Sequence, residues 1–176
     1  MTVDITETEV HTLLHQRLNQ IQGVKLLGWN PPNAKTYGFP NILIPKTVGR
    51  RRAGSDRIDA CLAYRDILML VEIKPASAQT DEDVVKLRRI CSRYELGGMT
   101  QILQRQGITV NSSLRWLVPV IAFGVLNSEL PKDFMCWQAY PGCYQQLLGS
   151  ELPEDAADEL RELRLSFERR PNSLET

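Results

Sequence analysis

Two apolar segments joined by a short polar turn restrict the fold of this chain more than any other feature. Residues 57–64 and 67–74 both have the pattern of strands, and only Arg65-Asp66 separates them. A tight turn here makes the strands antiparallel, with facing residues whose numbers sum to 131. Asp59 and Glu72 satisfy this register. We therefore expect them to face each other, with Cβ atoms about 4.5–5.5 Å apart.

The second strand ends in Glu72-Ile73-Lys74, where two charges are separated by one apolar residue. Because side chains alternate along a strand, Glu72 and Lys74 share one face of the sheet. Two facing carboxylates repel each other, and a divalent cation between them removes that repulsion. Oxygen ligands from Asp59, Glu72 and a backbone carbonyl, assigned to Ile73, suit Mg²⁺. Lys74 can hold or help to deprotonate the water that attacks a phosphodiester, so the pattern indicates metal-assisted hydrolysis.

The rest of the pattern predicts an α/β protein with a mixed sheet flanked by helices. Thr6 and Glu9 form a capping-box pattern before apolar residues at helical spacing. Gly97-Gly98 is interpreted as a break between two helices. Helices are predicted over residues 6–22, 83–95, 99–106 and 152–169, further strands over 41–44 and 115–125, and a helical or mixed segment over 134–148. We interpret residues 1–150 as one domain and residues 151–176 as its C-terminal amphipathic helix and tail.

Charge is balanced over the whole chain, with 21 Lys and Arg residues against 21 Asp and Glu residues, so bulk charge does not drive binding to a polyanion. A local basic run precedes Asp59. It contains Lys46, Arg50, Arg51, Arg52 and Arg57. We interpret its arginines as phosphate contacts at the mouth of the metal site, and a solvated loop is the alternative.

The chain has no signal-peptide pattern, no membrane-length apolar stretch and no C-x-x-C pair among its four cysteines. We therefore expect a cytoplasmic protein with reduced thiols and no membrane partner.

The site residues resemble those of a known nuclease superfamily. Asp59, followed by Glu72-Ile73-Lys74, is similar to the D…(D/E)-x-K signature of the PD-(D/E)xK nucleases, which have the restriction-endonuclease-like fold. The first helix and the later Gly28-Trp29 resemble the opening of the nuclease domain in type I restriction motor subunits. The resemblance covers roughly residues 6–125. It implies hydrolysis of DNA with Mg²⁺ or Mn²⁺, leaving a 5′-phosphate.

This resemblance also implies that an acid on the first helix completes the site. Glu7 lies about 40° from the centre of the apolar stripe of that helix, whereas Glu9 lies more than about 90° away. We therefore assign Glu7 to the site and Glu9 to the capping box. In relatives the helix that follows the E-x-K motif supplies a glutamine, and Gln101 is our candidate for this nucleic-acid contact. The usual proline before the aspartate is replaced by Ile58.

Two further questions stay open in the sequence. His11 and His15 have a chelating spacing, but no third ligand accompanies them, so structural or surface roles are favoured. The rival to a nuclease is a non-catalytic nuclease-fold subunit or an interaction module. Convergence of Asp59, Glu72 and Lys74 on one open face distinguishes the two. A homodimer or a larger partner complex is an open expectation for the delivery of nucleic acid.

Overall fold

The computed structural model describes residues 4–30, 38–39, 41–46, 54–110 and 113–169. In these ranges, helices and strands follow in the order α1 (Glu7–Asn19), β1 (Val24–Trp29), β2 (Ile42–Pro45), β3 (Ser55–Ile58), β4 (Ala60–Tyr64), β5 (Ile67–Ala76), α2 (Asp81–Arg93), α3 (Leu96–Arg105), β6 (Trp116–Val125), β7 (Met135–Tyr140), β8 (Cys143–Leu148) and α4 (Glu154–Glu168). A short 3₁₀ helix, Ser77–Gln79, connects β5 to α2. None of the described helices is long and apolar enough to cross a membrane.

Six strands form one mixed sheet in the order β1-β4-β5-β6-β7-β8, while β2 and β3 form a separate two-stranded sheet. In the large sheet, β5 pairs antiparallel with β4 and parallel with β6. The pair β6 and β7 is also parallel, and both edge pairs are antiparallel. The predicted α/β architecture with a mixed sheet is therefore confirmed.

Helices cover both faces of the sheet. On one face, Val71 of β5 belongs to a core that includes Leu14 of α1 and Leu160 of α4. On the other face, Leu70 packs in a core with Leu87 of α2. The central strands β5 and β6 are consequently buried on both sides, which is why their sequences are nearly continuous apolar runs.

The predicted hairpin register is confirmed along β4 and β5. Ala60 pairs with Val71 and Tyr64 pairs with Ile67, and Arg65 closes the turn with a left-handed φ of 54°. Asp59 itself lies at a bend outside the ladder. The single strand predicted over residues 57–64 is therefore wrong: the bend at Asp59 divides it into β3 and β4.

Several element boundaries also differ from the sequence predictions. The segment 134–148 is the hairpin β7–β8, turned at Pro141-Gly142, where Gly142 has a φ of 76°. Strand β1 had no predicted counterpart. Gly97 lies inside the first turn of α3, and the helix break falls instead at Tyr94, whose backbone is extended. β5 continues past Lys74 through Pro75 to Ala76.

Both ends of the chain fold close to their predictions. Helix α1 begins after Thr6, which forms the predicted reciprocal capping box with Glu9. Helix α4 has the predicted apolar stripe, and its Leu160, Leu163 and Phe167 are fully buried against the sheet. The stripe therefore serves intramolecular packing.

Candidate functional site

The end of the β4–β5 hairpin opens into a pocket of about 230 Å³. Its lining residues are all charged, and they come from α1, β3, the bend between β3 and β4, β5 and α2. The lining residues are Glu7, Arg57, Asp59, Glu72, Lys74, Asp83 and Lys86. The four residues that the sequence predicts as catalytic, Glu7, Asp59, Glu72 and Lys74, are all among them.

Asp59 reaches the pocket because the strand breaks there. Its Oδ2 atom accepts a hydrogen bond of 2.9 Å from the backbone N–H of Ile73. Its backbone carbonyl accepts another, of 2.6 Å, from the N–H of Asn30. The bend is thus anchored on both sides, and the carboxylate of Asp59 is held beside the Glu72-Ile73-Lys74 segment. The Ile73 side chain is fully buried in the core on the α1 side of the sheet.

Glu72 is the most deeply buried acid of the site, with only 3% of its surface exposed. Burial raises its pKa well above the ordinary value, and the nearby carboxylate of Asp59 raises it further. Nζ of Lys86 lies 2.5 Å from Oε1 of Glu72 and also donates a hydrogen bond of 2.9 Å to the Arg57 carbonyl. The carboxylate repulsion expected from the sequence is therefore present, and Lys86 offsets part of it.

Lys74 lies between two carboxylates at the outer side of the pocket. Its Nζ atom is 3.7 Å from Oε1 of Glu7 and 3.9 Å from Oδ2 of Asp83. Burial disfavours the ammonium, but the carboxylates of Asp83 and Glu7 outweigh this effect and raise the pKa of Lys74. Burial also raises the pKa of Glu7 and that of Asp83. Lys74 is thus a protonated donor at neutral pH.

Asp83 and Lys86 are site residues that the sequence reasoning missed. They lie three residues apart on α2, on the side of the helix that also carries the buried Leu87 and Ile90. Residues three and four apart share a helix face, so an acid and a lysine on an otherwise apolar face were the available signal.

His11 is a third residue whose position at the pocket the sequence reasoning missed. It lies one turn after Glu7 on α1, and ligand atoms of Glu7, His11 and Asp59 all lie within 4.8 Å of one another. Burial lowers the pKa of His11 to about 4, so the ring is neutral. His15 instead packs on Trp29 and contacts Asn19 through its ring nitrogens, which suits the structural role predicted for it.

Of the residues predicted to contact nucleic acid, the structure places one in the pocket and one outside it. Arg57 lines the pocket, and its guanidinium donates hydrogen bonds of 3.1 and 3.2 Å to the backbone and side-chain oxygens of Asn30. Gln101 is exposed on α3 and does not line the pocket. Three further predicted contacts, Arg50, Arg51 and Arg52, lie outside the described residues.

No protein-family model, no curated protein and no solved structure matches this chain. What the site can do follows from its chemistry. Four carboxylates and three cationic side chains meet in an open pocket. Clustered carboxylates bind divalent cations, and lysine and arginine donors bind phosphate oxygens.

Proposed function

We propose that the protein is a metal-dependent nuclease of the PD-(D/E)xK type, with a restriction-endonuclease-like fold, that hydrolyses phosphodiester bonds in DNA. Asp59, Glu72 and the Ile73 carbonyl hold Mg²⁺ or Mn²⁺, Lys74 positions the water, and Glu7 completes the acidic site. The observation that carries this proposal is the convergence of the four predicted side chains on one open pocket.

The charges of the pocket fit a cation. The pKa of Glu72 and that of Glu7 are both raised, in each case by burial first and then by the neighbouring Asp59. A divalent cation that neutralises such a cluster relieves the repulsion between its carboxylates and so stabilises it. A bound Mg²⁺ supplies a Lewis acid for the phosphoryl oxygen and lowers the pKa of the attacking water.

The lysines then act on the substrate. Lys86 offsets part of the charge of Glu72 in the absence of a cation, and with a cation held there its ammonium would be available to donate to a phosphate oxygen. Lys74, protonated and a third exposed, donates to the attacking water or to charge that develops on the phosphate. Arg57 lies at the same opening, where it can contact the backbone of the nucleic acid.

The proposal is tested by cleavage of supercoiled plasmid, linear duplex and single-stranded DNA with Mg²⁺ and after its chelation. We expect Mg²⁺-dependent cleavage that falls at least about 100-fold in Asp59→Asn and in Lys74→Met, since each removes a group that acts in the transition state. Lys25→Met, an exposed lysine on β1, serves as the matched control. Activity that survives both site substitutions contradicts the assignment. Binding of DNA without cleavage in any condition supports the non-catalytic alternative.

A further inference from the structure

We infer that the pocket contains a nitrogen-ligated cation site, formed by Glu7, His11 and Asp59, that takes a first-row transition-metal dication such as Mn²⁺ in preference to Mg²⁺. The use of this ion in cleavage rests on the proposed function, whereas its binding can be measured separately. The site shares Asp59 with the expected Mg²⁺ ligands but adds an imidazole that the D…(D/E)-x-K pattern does not contain.

The first observation is an orphaned imidazole. His11 is 1% exposed, and neither of its ring nitrogens has a hydrogen-bond partner among the described residues. Buried polar atoms in folded proteins are nearly always hydrogen-bonded, so this ring requires a reason. It lies edge-on against Trp29, with the ring centroids 5.7 Å apart, which fixes its plane. A neutral imidazole nitrogen without a hydrogen bond can coordinate a metal ion.

The second observation is the position of two carboxylates around this ring. Glu7 and His11 are four residues apart on α1, so they lie one above the other on the same helix face. Asp59 approaches from the bend before β4. One ligand atom from each residue lies within 4.8 Å of the other two. With metal–ligand distances of about 2.0–2.2 Å, neighbouring ligand atoms of one ion lie roughly 3–3.6 Å apart, so modest side-chain rotations would bring these three atoms around one ion.

Charge compensation distinguishes this side of the pocket from the Glu72 side. Glu72 already has the Lys86 ammonium at 2.5 Å. Glu7 has its nearest ammonium, that of Lys74, at 3.7 Å, where a cation can displace it more easily. The carboxylate of Glu7 is therefore less closely paired with an ammonium than that of Glu72, and it lies beside the orphaned ring.

The ligand set indicates which metal is preferred. Mg²⁺ binds oxygen ligands almost exclusively and keeps several of its waters. Imidazole suits Fe²⁺, Ni²⁺, Cu²⁺ and Zn²⁺, and affinity for a given site rises along the first transition row from Mn²⁺ to Cu²⁺. Mn²⁺ prefers carboxylates but also accepts an imidazole, and its unpaired electrons make it the suitable probe. Two carboxylates with one imidazole thus favour a transition-metal ion over Mg²⁺.

The test is binding of Mn²⁺ and Mg²⁺ to the full chain by isothermal titration calorimetry, with pulsed EPR of the bound Mn²⁺. We expect at least about tenfold tighter binding of Mn²⁺ than of Mg²⁺, and ¹⁴N modulation from a coordinated imidazole. His11→Leu should weaken Mn²⁺ binding at least about tenfold, change Mg²⁺ binding less than about threefold and abolish the ¹⁴N modulation. The matched control is His15→Leu, a second buried histidine on α1 that packs on the same Trp29, and it should leave all three unchanged.

Absence of ¹⁴N modulation in the wild-type protein overturns the inference without recourse to any variant. Mn²⁺ binding that is equal in the wild type and His11→Leu overturns it as well. The proposed nuclease function fails in a different way, namely when Mn²⁺ binds with ¹⁴N coupling but no DNA substrate is cleaved. Conversely, Mg²⁺-dependent cleavage that is unaffected by His11→Leu, with no ¹⁴N coupling, supports the nuclease function and contradicts the nitrogen-ligated cation site.

Discussion

Nζ of Lys86 on α2 lies 2.5 Å from Oε1 of Glu72 on β5, and this ion pair joins the helix layer to the buried end of the hairpin. The Glu72 side chain is 4% exposed and that of Lys86 is 22% exposed. Removing one partner of a buried ion pair leaves a charge that neither water nor a counterion stabilises. Lys86 is thus important for stability and for the charge of the pocket at the same time.

Lys86→Met should lower the free energy of unfolding by about 3 kcal/mol at about pH 8 and by less at about pH 5. Burial already raises the pKa of Glu72, and loss of the ammonium raises it further, so the penalty applies when the carboxylate is charged and grows as the pH rises. Urea unfolding at the two pH values measures this. Lys25→Met is the control, with a change below about 0.5 kcal/mol. An equal loss at both pH values contradicts the explanation.

Substitutions in the first turn of α1 should separate stability from function. Thr6→Ala removes the hydroxyl that accepts a hydrogen bond of 3.2 Å from the Glu9 N–H, and should cost about 1 kcal/mol in thermal or urea unfolding. Cleavage should be unchanged by it. Glu7→Gln should change stability by less than about 0.5 kcal/mol and lower cleavage at least about tenfold. Equal cleavage in the two variants contradicts the assignment of Glu7 to the site.

Asp66 and Glu159 should make stability fall as the pH rises toward neutrality. Their facing oxygens have no donor among the described residues, so they can share a hydrogen bond only when one of them is protonated. The hydrogen bond to Asp66, and to a lesser extent burial, raises the pKa of Glu159 from 4.5 to about 7. The folded state therefore binds a proton that the unfolded state has lost, and its stabilisation disappears between about pH 4.5 and pH 7.

Glu159→Gln should remove this dependence, because the amide donates to Asp66 at every pH. Solvent screening limits the gain over the wild type at about pH 8 to about 1 kcal/mol or less. Melting temperatures measured across the pH range for Glu159→Gln and for Glu151→Gln, an exposed acid before α4, provide the comparison. Parallel curves for the wild type and Glu159→Gln refute the shared proton.

Gln146 should control the docking of α4 on the sheet. It is 1% exposed, accepts a hydrogen bond of 2.9 Å from Nε1 of Trp137 and donates one of 2.7 Å to the Leu160 carbonyl. Gln146→Leu leaves both partners buried and unsatisfied, so unfolding should become easier by roughly 2–4 kcal/mol. Gln145→Leu, on the opposite face of β8, is the control and should cost less than about 1 kcal/mol in urea unfolding.

Interactions between near neighbours in sequence were predictable. The Thr6–Glu9 capping box depends on two residues three apart, and the β4–β5 register depends on a two-residue turn. Strand β7 was missed because its burial depends on elements that are distant in sequence. Met135 packs on one face of the sheet and Cys136 on the other, so burial on both sides removes the alternation that marks a strand. The Pro141-Gly142 turn was the signal that remained.

The sequence by itself determined the α/β class and the register of the β4–β5 hairpin, because alternation and turn length act within a few residues. It did not determine the bend that removes Asp59 from the ladder opposite Glu72. Only the tertiary structure decided which other side chains complete the pocket. Lys86 reaches Glu72 because α2 packs on that face of the sheet, and His11 meets Asp59 because α1 packs beside the bend that divides β3 from β4. Such contacts depend on how separate elements pack, and no local spacing in the chain encodes them.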